Sequence, residues 1–142
     1  MIRFLKTFFS SKPCDYYQLL GNEEGIKSLV QSFYEYMETD PKAIDCLNVH
    51  ELIDGKIPHP VKEKLFQFIS GWLGGPNIFV QNHGPPRMRA RHSHIKIGTK
   101  EKEQWILCMT NALKNHRPKI PNKHQKILLN SFTALAMRIQ NQ

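Results

Sequence analysis

The sequence predicts an all-α fold, and three observations carry that expectation. Apolar side chains recur at intervals of three and four along several stretches. No stretch alternates apolar and polar residues for long enough to make a sheet, and the breaks between periodic stretches fall at glycine and proline clusters. At 142 residues the chain has the length of one domain and can bury a core without disulfide or metal staples.

The elements follow in order. Asp15 to Leu20 is a short helical candidate that stops at Gly21, and Asn22 is placed to cap the next helix. From Glu23, the residues Ile26, Leu29, Val30, Phe33, Tyr34 and Met37 make one stripe along a helix reaching about Asp40, with Glu23 and Glu24 at its positive end. Pro41 ends it and starts a short helix over Lys42 to Leu47, after which Asn48 to Pro60 reads as a loop. A second long helix spans about 60–73, its stripe being Val61, Leu65, Phe68, Ile69 and Trp72. Gly74 to Pro86 holds three glycines and three prolines and reads as a functional loop. Beyond it, Ala90 to Ile95 is expected to be a short helix carrying His92. Thr99 then caps a helix with Trp105, Cys108, Met109, Ala112 and Leu113 on one face. After Pro118 and Pro121, a last stripe runs through Ile127, Leu128, Ser131, Phe132, Leu135 and Ile139. The two long helices before the glycine loop and the two after it are expected to pack as crossed pairs around a pocket.

Charge and cysteines bound the surroundings. Twenty basic against 12 acidic side chains give a net charge of +8, which suits nucleic acid, an anionic membrane surface or a ligand bearing carboxylates. Cys14, Cys46 and Cys108 are an odd number set far apart, with no CxxC pair, which argues for a reducing compartment and a cytoplasmic location. Residues 1–14 read as a loosely ordered extension, and residues 15–142 as the domain. Lys6 interrupts the opening apolar run, and nothing later approaches the roughly 18 apolar residues of a membrane span, so stable membrane insertion is not expected.

The stretch from Gly84 to Ile97 concentrates the candidate chemistry. It sets His92 among Arg87, Arg89 and Arg91, just before the helix of Trp105. The other histidines, His59, His83, His94, His116 and His124, read as solvated side chains, and no Cys/His cluster has the spacing of a zinc site. Phe33-Tyr34 followed by Met37, Gly74-Gly75-Pro76, Arg87 to His92, and Trp105 thirteen residues after that histidine are weak fragments singly. In this order, over about Tyr17 to Gln142, the chain resembles the truncated haemoglobins, specifically their group II.

That resemblance implies a two-over-two helical globin that holds haem b, iron protoporphyrin IX, through one proximal histidine. The matching residue is His92, and a neutral imidazole is a sufficient single protein ligand for a haem iron. It further implies that Tyr34 and Trp105 are distal donors to a bound gas, since a phenol O–H and an indole N–H both donate. His50 is either a third distal hydrogen-bonding group or an ordinary loop histidine. Val61, Leu65, Phe68, Phe79, Met88, Ile97, Trp105 and Met109 are implied haem contacts, and Arg87, Arg89 and Arg91 partners for its propionates. The chain departs from the family pattern at Pro85-Pro86, at His94-Ile95 and at Phe79, where a tyrosine often meets a propionate.

The expected function is reversible binding of oxygen, nitric oxide or carbon monoxide at a five-coordinate iron with a polar distal pocket. Several donors slow gas release, which favours nitric oxide or reactive-oxygen chemistry over simple oxygen transport. Nitric oxide dioxygenation or a peroxidase-like side activity would each require an unidentified reductase. The expected assembly is a monomer or weak homodimer without nucleic acid. The rivals are a basic helical nucleic-acid-binding module using Arg87, Arg89, Arg91 and Lys96, and a membrane-associated protein anchored by Phe4, Leu5, Phe8 and Phe9.

Overall fold

A computed structural model describes residues 14–142. The expected extension, except Cys14, and the candidate anchor Phe4, Leu5, Phe8 and Phe9 lie outside the described residues. Among those described, α1 spans Tyr16–Leu19 and α2 Asn22–Thr39. A 3-10 turn, Pro41–Ala43, leads into α3, Ile44–Asn48. Then come α4, His59–Trp72; α5, Ile78–His83; α6, Met88–Arg91; α7, Thr99–Lys114; and α8, Asn122–Ile139. None of these helices is long and apolar enough to cross a membrane.

Each long helix forms where its stripe found something to bury against. α2 packs on α4 and on α7, and α7 packs in turn on α8, so two helix pairs stack across one core. All six stripe residues of α2 are buried, and Phe33 and Phe132 are fully so. Burying a ring of that size contributes about 1.5–3 kcal/mol. On α8 the stripe needs correction. Leu128, Phe132, Leu135 and Ala136 are buried, whereas Ile127 is 42% exposed and Ser131 is on the surface.

The caps depart from expectation in two places. Gly21, at φ 107°, takes the residue position before α2, and Asn22 itself is left-handed at φ 59° without a capping bond. At α7 the capping position is Gly98, not Thr99: the Gly98 N–H donates to Glu101 Oε1 at 2.7 Å. The Thr99 hydroxyl instead accepts from Gln140 Nε2 at 3.2 Å. Asp40 is a true capping residue, accepting from the Lys42 N–H at 2.9 Å before Pro41 fixes the turn.

The stretch expected to be a loop from Gly74 to Pro86 contains α5. Two turns suffice because Phe79 drops into the core against Phe68, ring centroids 6.2 Å apart. The Ser70 hydroxyl also ties the start of the segment by donating to the Pro76 carbonyl at 2.9 Å. Gly75 is a close-approach position, since a Cβ there would lie 2.3 Å from the Tyr17 ring. The short helix near His92 also shifts register, occupying Met88–Arg91 in place of Ala90–Ile95, with His92 just past its end. Arg91 accounts for that shift. Its side chain folds back over the preceding loop, donating to the carbonyls of Pro86 at 2.6 Å, His83 at 2.8 Å and Pro85 at 3.1 Å.

Candidate functional site

Between the two helix pairs lies a cavity of about 1030 Å³. α2 contributes Tyr34 to its wall, and α3 with the turn after it contributes Cys46 and His50. α4 contributes Val61, Leu65 and Phe68, α5 contributes Phe79, and the α6 region contributes Met88, Arg91, His92 and Ile97. Trp105 comes from α7, opposite which Leu135 and Ile139 of α8 close the wall. Val61 and Leu65 are only half-buried in the apolar stripe of α4 because that stripe faces this space. The volume matches the upper range of sites for large organic ligands.

Two residues expected at this wall are elsewhere. Met109 is fully buried in the helical core, one turn beyond Trp105, and Arg87 has an exposed side chain outside the cavity, as does Arg89. Arg91 is at the wall, but its Nε and Nη2 are already occupied by loop carbonyls and its guanidinium stacks 5.1 Å from the Phe79 ring centre. Its main task is therefore to hold the loop. The wall also includes Lys64 and Lys102, for which the sequence carried no expectation, and Lys96, expected only as a nucleic-acid contact. Lys64 sits one turn after Val61 on the same helix face, a spacing that could have found it.

His92 is held in a defined state. Its Nδ1 lies 2.6 Å from the Met88 carbonyl, which can only accept, so Nδ1 carries the proton and the neutral ring keeps its Nε2 lone pair. That arrangement orients a histidine ligand and raises its basicity. The backbone after it is also clamped, through the C-terminal Asn141. Asn141 Nδ2 donates to the carbonyls of His92 at 3.2 Å and Ile95 at 2.8 Å, and its Oδ1 accepts from the Ile97 N–H at 2.9 Å. No periodicity pointed to Asn141, because its contacts join segments more than forty residues apart. Asn141→Ala should speed haem loss by about tenfold, within the range for lost support of a metal ligand. The check is the rate of haem transfer to an apo-globin scavenger; an unchanged rate would mean that the clamp does not support His92.

Across the cavity, Tyr34 is 5% exposed and its hydroxyl makes no hydrogen bond to any described residue. Burial first, and the neighbouring Cys46 second, push its pKa upward, so it remains a protonated donor. Phe33 braces both candidate donors, its ring centroid 4.9 Å from that of Tyr34 and 5.1 Å from that of Trp105. His50 stands perpendicular to Tyr34 with centroids 6.1 Å apart. Its Nδ1 donates to the Cys46 carbonyl at 3.0 Å, which leaves Nε2 as an acceptor. Burial lowers the His50 pKa, a fall opposed by its backbone hydrogen bonds. Gln104 fixes this side of the wall, accepting from the Cys46 N–H and donating to Asp45, both at 2.8 Å. The Cys46 and Cys108 thiols are pushed up to about 12 by burial, which leaves them inert as nucleophiles.

The remaining histidines are more varied than expected. His116 is buried, with Nε2 2.7 Å from the Leu20 carbonyl, while His124 bonds Tyr16 at 3.0 Å and His83 bonds Gln67 at 3.2 Å. Among the described residues no group of three or more His, Cys, Asp or Glu side chains could hold a bare metal ion. The wall does fit a large flat metallocycle. It offers one imidazole lone pair, apolar faces from Phe68, Leu65 and Ile139, lysines for peripheral carboxylates, and a buried phenol lacking a partner among the described residues.

Two stacked helix pairs closing on such a cavity define a two-over-two globin. A family model described as bacterial-like globin matches residues 15–141, and the chain belongs to that family, among its group II truncated haemoglobins. It is 32% identical over 100 residues to the group 2 truncated haemoglobin YjbI of Bacillus subtilis (strain 168), covering 68% of this chain and 67% of that one. The cold-adapted truncated haemoglobin from Pseudoalteromonas haloplanktis TAC125 superposes with a TM-score of 0.81 at 34% identity, covering 89% of this chain and 97% of that one. The group II 2-on-2 haemoglobin from Agrobacterium tumefaciens gives 0.83 at 31% identity, covering 94% and 98%. The protein is accordingly a haem-based binder of small diatomic ligands. The nucleic-acid-module alternative has no support in these matches.

Proposed function

We propose that this globin holds haem b through His92 and retains a gas under two hydrogen-bond donors, Tyr34 and Trp105, so that it supports nitric oxide or reactive-oxygen chemistry rather than oxygen delivery. The observation that carries the reading is the pairing, on one cavity, of an oriented imidazole lone pair with a buried phenol that has no partner among the described residues. Haem supplies an iron that binds diatomic gases and exchanges electrons when a reductase is present. His92, oriented by the Met88 carbonyl and the Asn141 clamp, is the proximal ligand. Lys64, Lys96 and Lys102 would meet the propionates, in the role first given to Arg87, Arg89 and Arg91. Val61, Leu65 and Phe68 exclude water on the distal side, where the Tyr34 and Trp105 hydrogens act on a ligand in low dielectric.

In this arrangement His50 is an acceptor and not a third donor. Its part would be to order the distal wall, and a bound haem iron would keep its sixth position open to gas. The pKa of Tyr34 is raised and that of His50 lowered, so both move away from neutrality. Oxygen dissociation is therefore expected to vary by less than about twofold between about pH 6.5 and about pH 9, in stopped-flow measurements. A step in the ordinary histidine range would show His50 titrating and becoming a donor.

Haem titration into the apoprotein tests the reading as a whole. One equivalent should saturate a sharp Soret band, and the ferrous protein should have a five-coordinate, high-spin spectrum. No saturable band would remove the haem reading, and a low-spin ferrous spectrum would remove the open sixth position. We place the protein in the cytoplasm, as a monomer or weak homodimer served by a separate reductase, on the strength of its free cysteines and its lack of a reductase domain in residues 15–142.

A further inference from the structure

Between Glu63 and Glu101 the sequence has no acidic residue but six basic ones: Lys64, Arg87, Arg89, Arg91, Lys96 and Lys100. The fold divides them by task. Arg91 is bound to loop carbonyls, Lys100 lies 4.0 Å from Asp45, and Lys64 and Lys96 are on the cavity wall. Arg87 and Arg89 are left over. They are exposed, they lie outside the wall, and neither has a carboxylate within ion-pair distance among the described residues. Arg87 immediately precedes α6 and Arg89 lies within it, the turn of helix that leads directly into His92. A molecule seated on them would lie beside the cavity rim, next to the segment that presents the proximal ligand.

We propose that Arg87 and Arg89 form the docking surface for an acidic one-electron carrier protein that reduces the haem. The inference rests on the haem reading above. Charge complementarity of this kind sets encounter rate and orientation more than final affinity, which suits a carrier that must leave after each transfer. In the encounter one electron leaves the carrier's flavin or iron–sulfur centre, which is thereby oxidised by one electron. The haem iron goes from ferric to ferrous, and no covalent bond forms or breaks. The Arg91 bonds hold the loop in place, so the two free guanidinium groups are presented on a fixed backbone. Nucleic acid is the weaker fit, because the free arginines sit on a helix of four residues that is too short to follow a groove.

The test mixes ferric holoprotein with excess acidic flavodoxin in its hydroquinone form and follows the Soret shift by stopped flow. Binding of oxidised flavodoxin is read separately from amide shifts in NMR spectra. The Arg87→Glu/Arg89→Glu variant should lose at least about tenfold in the second-order rate, as should wild type when salt rises from about 0.01 M to about 1 M. The charge-keeping Arg87→Lys/Arg89→Lys variant should stay within about twofold of wild type, and the amide shifts should fall on residues 87–96. A reversal variant within about twofold of wild type would overturn the proposal, and so would an equal loss in the lysine variant. Salt-sensitive retention of duplex DNA that the reversal variant abolishes, with flavodoxin reduction unaffected, would also overturn it and reassign the patch. Failure of the haem reading is distinguishable, since the starting protein would then show no Soret band.

Discussion

His92→Ala is expected to lower haem affinity by at least about a hundredfold, more than the usual loss on removing a supporting group, because the metal ligand itself is gone. The reasoning is geometric. The Met88 carbonyl fixes the proton on Nδ1, so Nε2 is the lone pair presented to the cavity, and Asn141 holds the backbone that carries the ring. Half-buried, His92 is no part of the buried core, so the variant should keep its helical content in circular dichroism. Added imidazole should restore much of the Soret band by occupying the vacated volume. Retention of haem with wild-type affinity would show that another side chain ligates the iron.

Tyr34→Phe should accelerate oxygen dissociation by about ten- to a hundredfold, the equivalent of about 1.5–3 kcal/mol for a hydrogen bond to a ligand carrying partial charge. The same substitution should leave the apoprotein at least as stable as wild type, since it removes a buried hydroxyl that has no partner among the described residues. The off-rate distinguishes a donor from a core aromatic, because a residue that merely packed would keep its ring in Phe and leave the off-rate alone. Trp105→Phe is expected to act in the same direction, and the double variant by less than the sum, because Phe33 braces both rings. Stopped-flow displacement of oxygen by carbon monoxide measures both rates, and an off-rate within about twofold of wild type for Tyr34→Phe would remove the distal-donor assignment.

The four long helices were legible because each carries a stripe of period near 3.6 bounded by proline or glycine, at Pro41, Pro60, Gly74 and Pro121. α5 was hidden because only Phe79 of its six residues is buried, and tertiary contact outweighs the glycine- and proline-rich surroundings. The register around His92 was hidden for a related reason. Arg91 spends its guanidinium on backbone carbonyls, a role that charge pattern cannot distinguish from propionate binding. The wall residues on α2, α4 and α7 followed from helical phase and family pattern, whereas Cys46, Lys96 and the Asn141 clamp depend on chain segments brought together only by folding. His50 shows the limit most clearly. Its position was noticed in the sequence, but its role as an acceptor follows from one 3.0 Å contact to the Cys46 carbonyl.

A crystal structure of the protein reconstituted with haem tests the central claim most directly. The account predicts the porphyrin lying between α4 and α7, with its iron bonded to His92 Nε2, Nδ1 still on the Met88 carbonyl, and the Tyr34 hydroxyl on the opposite face. Iron ligated by any other side chain, or His92 Nε2 turned toward solvent, would contradict it.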